Sequence, residues 1–543
     1  MVDILRTGLS GLIASQRALA TTSHNIANVN TPGYSRQRVE LTTNLPDLAG
    51  NAARSMYVGT GVQVQSITRV YDDFLTQQVR NHGSNVSQSE TLDTWISQLD
   101  GILGDSQTGL SPALSQFFAA VQDVADSPAS LSARQALLGQ ASTLAASFQE
   151  MNGQMDSLRQ GANETLSDTV TQVNVLAENI AKMNGAIALS QGSGTSSDLL
   201  DQRDQLVADL AQKVPVSTVT QDDGTLSVFI GNGQSLVLGN QANTLETVRS
   251  ASDPRKLDIR FEGSNVGINN LLNGGEIGGL LDFQNEVLDP AQNKLGLMAA
   301  GLTETFNAQH KLGLDFNGDP GGDFFAPITP EVAANAANTG SGALTVTLSN
   351  IGDLQPSDYE LSYNGTGYNL RRLSDDQSVS LGAGPPFTAE GMTIAIGGTP
   401  AAGDRFLIQP TQASARNFQV LITDPRQFAA ADSVGGVGNN ANAIGLANLQ
   451  TDQTLRGGTS SLQDIQSQMV AEVGTQGSGA RSAVQAQTAL LEQATQARDG
   501  FSGVNLDEEA ANLMRYQQAY VAAAKVIQVG DSIIQTLLDA VRR

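Results

Sequence analysis

The side chains able to do chemistry are few and scattered. The three histidines, His24, His82 and His310, lie too far apart in sequence to suggest a metal site, and there is no cysteine. Thiolate zinc, disulfides and thiol catalysis are therefore excluded. No H-E-x-x-H, P-loop or G-x-S-x-G pattern occurs. Gly59-Thr60-Gly61 precedes strand-like residues, whereas a phosphate loop must open a helix. Carboxylates are so plentiful that pairs of them carry no signal of acid–base chemistry. Asp315, Asn317 and Asp319 have the D-x-N-x-D spacing of a calcium loop, with Asp323 beyond, but Ala326 stands where that loop needs a bidentate Glu. A turn built from Asx and Gly residues explains the stretch better. The expectation is a chain with no catalytic residue, no cofactor and no metal.

The informative short motif is Thr31-Pro32-Gly33-Tyr34. Pro32 is expected to end a first helix, and Pro-Gly suits a tight type II turn. Such a turn redirects the chain into an extended segment over Arg36 to Leu41.

The elements on either side of this turn set its role. From Asp3 to Asn28, Leu5, Leu9, Leu12, Leu19 and Ile26 form one helical stripe, with Gln16 and Ser23 in the remaining places of a near-heptad spacing. Between Thr7 and Ser35 the one formal charge is Arg17, with His24 nearby, fewer than an exposed lone helix usually carries. The C-terminus repeats more strongly through Leu506, Ala510, Leu513, Gln517, Tyr520, Ala524, Ile527, Asp531, Ile534, Leu538 and Val541. That helix would be about 54 Å long at ~1.5 Å per residue. Asn505 can cap it, Glu508 occupies the capping-box position, Asp507 to Glu509 suit the positive end of its dipole, and Arg542 and Arg543 suit the other. Each helix has an apolar seam and no core, so the simplest arrangement pairs them as a coiled coil, further buried by neighbouring subunits. Two ordinary amphipathic helices on a globular core are the plainer alternative.

At 543 residues the chain should form three or four domains. Aromatics make up 5%, with one Trp, Trp95, so the cores should be built from Ala, Leu, Val and Ile. A net charge of −24 argues against nucleic acid, whose phosphates require clustered Lys and Arg. It would keep a self-associating protein in solution before assembly. Met1 to Ser35 has no signal-peptide layout, and no run reaches the ~18 apolar residues that span a bilayer. The expected chain is soluble, not membrane-inserted, and either cytoplasmic or exported without a cleaved signal.

Between the ends, helical and strand patterns alternate. Residues 85–213 read as helix, Val216 to Val248 as strands with turns at Asp222-Asp223-Gly224 and Gly231-Asn232-Gly233, and Ile277 to Ala308 as helix. Leu344 to Ile422 reads as strands with turns at Asn364-Gly365 and Pro385-Pro386, and Ser460 to Gln496 as helix. Pro112 and Pro128 suit helix starts, and Gly192 to Gly194 a loop. The fold class is α+β multidomain with nested topology: a terminal coiled-coil domain (1–40 plus 503–543), a mainly helical inner domain (41–213 plus about 275–312 and 435–502), a β-rich insertion (214–274) and a β-rich outer domain (313–434).

The stretch LSGLIASQRALATTSHNIANVNTPGYSRQ resembles the opening signature of the rod, hook and hook-associated axial proteins of bacterial flagella, carried by Asn25, Ile26, Ala27, Asn28, Thr31, Pro32, Gly33 and Tyr34. The stretch SGVNLDEEAANLMRYQQAYVAAAKVI is more similar to first hook-associated proteins than to hook proteins or flagellins, through Gly503 to Asn512 and Tyr516 to Tyr520. The hook protein is the runner-up within this class; a secreted adhesin or surface enzyme is the rival outside it. The resemblance implies a structural subunit at the junction of hook and filament, extracellular in place, exported unfolded through the flagellar type III apparatus. It implies as partners further copies of the chain, the hook protein, the third hook-associated protein and an export chaperone on the C-terminal helical region. Assembly is expected to use the N-terminal helix and turn (Leu5, Leu9, Leu12, Leu19, Asn25, Ile26, Asn28, Thr31 to Tyr34). Leu506, Leu513, Tyr520, Ile527, Ile534 and Leu538 are expected to serve assembly and the chaperone.

Overall fold

The computed structural model describes residues 2–49, 56–104, 109–190, 196–382, 384–432 and 436–542. The loop expected at Gly192 to Gly194 and residue Arg543 lie outside these.

The first helix, α1 (Val2–Ala27), leads into two antiparallel strand pairs: β1 (Gln37–Thr43) with β4 (Val62–Arg69), and β2 (Asp47–Ala49) with β3 (Met56–Val58). Within 41–69 the described elements are thus strands, although the sequence reading assigned this range to a mainly helical domain. β-Branched residues such as Val62, Val64 and Ile67 favour the pleat.

The helical body follows: α2 (Asp73–Leu103), α3 (Leu110–Asp126), α4 (Leu131–Ser190) and α5 (Ser197–Lys213). Asp72 caps α2 by accepting from the Leu75 amide at 3.0 Å. α4 is a single helix of 60 residues. Its buried face, through Leu144, Phe148, Met155, Ala162, Leu166, Val173, Ile180 and Ile187, keeps helical period over most of its length.

Strands β5 (Val216–Thr220), β6 (Leu226–Ile230), β7 (Gln234–Leu238) and β8 (Gln241–Ala242) form one antiparallel sheet, and β9 (Leu245–Arg249) pairs with β10 (Leu257–Phe261). This strand block lies along α4. Asn174 on α4 donates to the Leu245 carbonyl and accepts from the Leu245 amide, both at 2.8 Å, and buried Asn184 bonds the backbone of Leu226 and Gly239. An amide side chain carries the same donor and acceptor as a peptide group, so a helix can present it to a strand edge as a neighbouring strand would.

The body resumes with α6 (Gly275–Asp282), a π-helical segment (Phe283–Leu288) and α7 (Asp289–His310). Next comes the outer domain. Strands β11 (Glu331–Ala334), β13 (Tyr359–Tyr363), β14 (Tyr368–Arg372), β15 (Ser378–Val379) and β18 (Arg405–Gln409) make a five-stranded sheet in the order β11-β18-β13-β14-β15. β12 (Ala343–Leu348), β16 (Phe387–Ala389) and β17 (Met392–Gly397) make a three-stranded one. Short helices α8 (Gln412–Arg416) and α9 (Ala441–Asn448) lead back to α10 (Leu462–Ser502), which opens with a reciprocal capping box between Ser461 and Asp464. α10 runs along α2, and α11 (Leu506–Val541) returns along α1.

The order is therefore out and back, with each early helix meeting a late one. One contiguous apolar core runs from Ile96 to Ala480 through the helical body, the first strand block and the outer domain. Among the described residues, α1, β1 to β4 and α11 contribute nothing to it.

Candidate assembly interface

α1 and α11 pack closely because the contact face of α1 is made of small residues. Gly8 and Gly11 lie against Ala523, Val526 and Ile527. Ser15, Ala18, Thr22 and Asn25 continue the same alternating three and four along α1, and all six are buried except the half-buried Gly11. A Cβ on Gly8 would stand 2.9 Å from Ile527 Cγ1, and one on Gly530 would stand 2.8 Å from Leu5 Cδ2. The leucine stripe read from sequence lies one position later: Leu5, Leu12, Leu19 and Ile26 are half-buried, and Leu9 is 51% exposed. The buried face is thus offset by one residue from the leucine stripe, although Leu5 still reaches Gly530 of α11, and the offset has a simple reason. Helices that approach closely need small side chains at the contact, which an apolar pattern overlooks.

α11 leaves most of its apolar surface uncovered. Leu513, Ile527 and Ile534 are half-buried, whereas Leu506, Tyr520 and Leu538 are exposed, as are Met514, Val521, Val529 and Leu537. Asn505 caps the helix, accepting from the amides of Asp507 and Glu508 at 3.0 and 3.3 Å. Glu508 closes no capping box. It turns to Arg36 at 2.5 Å, beside buried Glu509 at 3.9 Å from the same guanidinium, because a cation across the joint is the stronger partner. A window in the helical stretch Leu462–Val541 has the length and composition of a membrane-crossing helix, contrary to the expectation of none, and 6% of it is buried. Its mean hydropathy comes from alanines and β-branched residues spaced between polar ones.

The turn joins this helix pair to the body. α1 ends at Ala27, five residues before Pro32, so the proline does not terminate it. Asn28 does so earlier: its side-chain amide donates to the His24 carbonyl at 3.0 Å. Thr31 to Tyr34 form the expected type II turn, with the Tyr34 amide donating to the Thr31 carbonyl at 3.2 Å and Gly33 at φ +77°. Gly33 packs against Gln205 of α5, where a Cβ would come within 2.7 Å of the side-chain oxygen.

Asn25 is the centre of the motif. It is 1% exposed, donates to the Gln37 carbonyl at 2.9 Å and accepts from the Gln37 amide at 3.0 Å and the Tyr34 hydroxyl at 2.7 Å. This is the strand-mimic bonding that Asn174 makes to Leu245. The Tyr34 ring meets His24 edge-on, with centroids 5.6 Å apart. Burial, then the charges of Asp198, Asp201 and Glu509, push the Tyr34 phenol well above its usual range.

Residues that carried no sequence signal complete the joint. Asp201 of α5 accepts from the Ser35 amide at 2.9 Å and from Arg69 at 3.0 Å; Arg69 also reaches Asp204 at 2.6 Å, and Arg80 of α2 reaches Asp204 at 3.2 Å. Burial raises the Asp201 carboxyl, opposed by the Ser35 amide and Arg69. Burial works against the Arg69 charge too, but Asp204 and Asp201 more than offset it and hold Arg69 above its ordinary range. The Arg36 amide donates to the Ser502 carbonyl at 2.8 Å, tying the turn to the end of α10. The chemistry here is that of a fixed joint.

The stretch from Asp315 to Asp319 is a turn, as its Asx and Gly residues suggested. Asp315 spends one carboxylate oxygen on the amides of Asn317 and Asp319, at 2.7 and 2.9 Å, and Asp323 pairs with Lys311 at 2.6 Å. Among the described residues no group of three His, Asp or Glu is arranged to hold a metal.

Comparison with known proteins agrees with this architecture. Residues 96–325 match the flagellar hook-associated protein FlgK helical domain, and 333–410 the D2-like domain of flagellar hook-associated protein 1. Residues 5–34 match the flagella basal body rod protein family, and 496–540 the C-terminal family of the rod FlgEFG proteins. The crystal structure of the flagellar hook junction protein FlgK from Burkholderia pseudomallei superposes with a TM-score of 0.73 at 28% identity, covering 78% of this chain and all of that one. Flagellar hook-associated protein 1 of Bacillus subtilis is 26% identical over 98% of this chain and 97% of its own. That of Escherichia coli is 33% identical over 99% of this chain and all of its own. The paired ends, the helical body and the outer sheets thus have one explanation: this chain belongs to the flagellar hook-associated protein 1 family.

Proposed function

We propose that the chain is the structural subunit that joins hook to filament, exported unfolded through the flagellar type III apparatus and folded at the tip of the growing hook. The observation that carries this reading is α11: a 36-residue helix covered along one side by α1, with apolar residues exposed on its other faces. Isolated helices of this kind are marginal in water and gain stability from tertiary burial. Neighbouring copies supply that burial, with the hook protein on one side and the third hook-associated protein on the other. The exposed apolar stretch that passes a hydropathy test is then a seam between subunits. Before export, the same face of α11 suits a helix-in-groove contact with an export chaperone. In this reading the terminal pair is the assembly device, the outer sheets are an appendage, and no part acts as an enzyme. The test is Leu513→Asp with Ile527→Asp. Incorporation onto purified hooks and chaperone binding should both be lost, and unchanged incorporation would refute the reading.

A further inference from the structure

The outer domain is attached to the helical body through a neck of two chain segments, residues 311–330 departing and 417–432 returning. They bridge each other at Leu314–Ala431 and Phe325–Val420. His310, the last residue of α7, is fully buried between them and caged by Phe306, Phe324 and Phe428, with ring centroids 6.4, 5.7 and 5.5 Å away. Its two ring nitrogens bond one segment each. Nδ1 lies 2.8 Å from the Gly322 carbonyl, and Nε2 lies 2.9 Å from the Ala429 amide. A carbonyl can only accept and an amide can only donate, so the tautomer is fixed: Nδ1 carries the proton and Nε2 is bare. One turn earlier, Asn307 holds the departing segment, accepting from the amides of Phe324 and Phe325 at 2.9 Å each and donating to the Phe325 carbonyl at 2.8 Å.

We propose that His310 is an acid-released clasp, and that protonating its Nε2 unfastens the two neck segments from each other while the helical body stays folded. The proton would stand against the Ala429 N–H, turning an acceptor into a second donor, and would place a charge among three phenylalanine rings. The surrounding charges do not reverse this. Burial depresses the ring first. The Gly322 carbonyl, Asp323 and Asp315 favour the charged ring, but Asp323 is engaged by Lys311; Arg134 of α4 opposes it, and the returning segment presents Phe428. A depressed value in the clasped state means the clasp is intact above the ordinary imidazole value of 6.5 and is lost as pH falls below it.

The test is amide exchange on the full-length chain from pH 8 to 5, corrected for its intrinsic pH dependence. Opening coupled to one proton should raise exchange at Phe324, Phe325 and Ala429 by up to roughly tenfold per pH unit below about 6.5, while α4 and α10 stay protected. His310→Gln, which keeps a donor and an acceptor but cannot be protonated, should remove that pH dependence. If the variant does not fold, the imidazole nitrogen shifts of the wild-type chain decide the matter, since only three histidines need assigning. The proposal is overturned if neck and body lose protection together, or if His310 protonates with the Ala429 amide still protected.

Discussion

Asn25 and Asn174 make the same bonds in two places, and that allows a controlled experiment. Asn25→Ala strips the partners from the half-buried amide and carbonyl of Gln37, at 3.0 and 2.9 Å, and from the half-buried Tyr34 hydroxyl, which can turn to water. Asn174→Ala does the same to the amide and carbonyl of Leu245. A buried polar group left unpaired costs roughly 1–3 kcal/mol, so each change removes roughly 2–6 kcal/mol from the structure that contains it. At ~1.4 kcal/mol per factor of ten, that is at least about thirty-fold in the equilibrium concerned. The equilibria differ. Leu245 belongs to the core of the body, so Asn174→Ala should lower the monomer's Tm by roughly 4 °C or more. The joint at Asn25 lies outside that core and, on the proposed reading, is completed on assembly. Asn25→Ala should leave the monomer's Tm unchanged and fail in competition with labelled wild-type chain for incorporation onto purified hooks. Tyr34→Phe should show a milder defect, because it leaves Gln37 paired. Equal incorporation of Asn25→Ala and wild type, or a lowered monomer Tm in that variant, would refute the reasoning.

Gly8→Val should block incorporation without moving the monomer's Tm, because its side chain would start 2.9 Å from Ile527; an assembling variant would show that the helix pair does not need its close approach. Asp358 sits where the outer domain meets the body, its carboxyl pushed from 3.8 up to about 6, mainly by burial, against the pull of Arg255. A raised carboxylate contributes stability at low pH and loses it as pH rises through about 6, so Asp358→Asn should stabilise the chain by up to about 3 kcal/mol at pH 8. That gain should shrink toward zero below pH 4, as paired thermal melts would show. Calcium at millimolar concentration should leave the melting curve unchanged, since Asp315 already spends its acceptor on its own turn.

Much of the outline could be read from the chain. The cap at Asn505, the type II turn at Gly33, the change from helix to strand after Pro215 and the out-and-back order rest on local rules of period and turn chemistry, and local rules leave marks in sequence. The α1 seam left none in an apolar scan, because Gly8, Gly11, Ser15 and Ala18 hold their place by being small. Asn174, Asn184 and Asn307 were equally silent, and Asn25 stood out only through the resemblance, since a buried strand-mimic and a surface loop residue are the same letter. The joint between Arg69, Asp201 and Asp204 depends on groups more than a hundred residues apart. Glu508 shows the limit most plainly: its spacing from Asn505 fits a capping box, yet a guanidinium brought by the fold claims it.

The nesting of helix pairs also sets an order in time. Asp358 and Gln409, inside the outer domain, are 51 residues apart, whereas Arg36 and Glu508, at the joint, are 472 apart. Loop-closure entropy makes the wider contact roughly 2 kcal/mol harder to form from an open chain. A chain that leaves a narrow channel from its N-terminus can close its innermost brackets as they emerge, but α2 must wait for α10, and α1 must wait for the very last residues. On the proposed reading, the polymerising surface is the final thing the chain makes. An interrupted delivery yields a folded appendage and a body without its seam, a product that cannot cap the growing end.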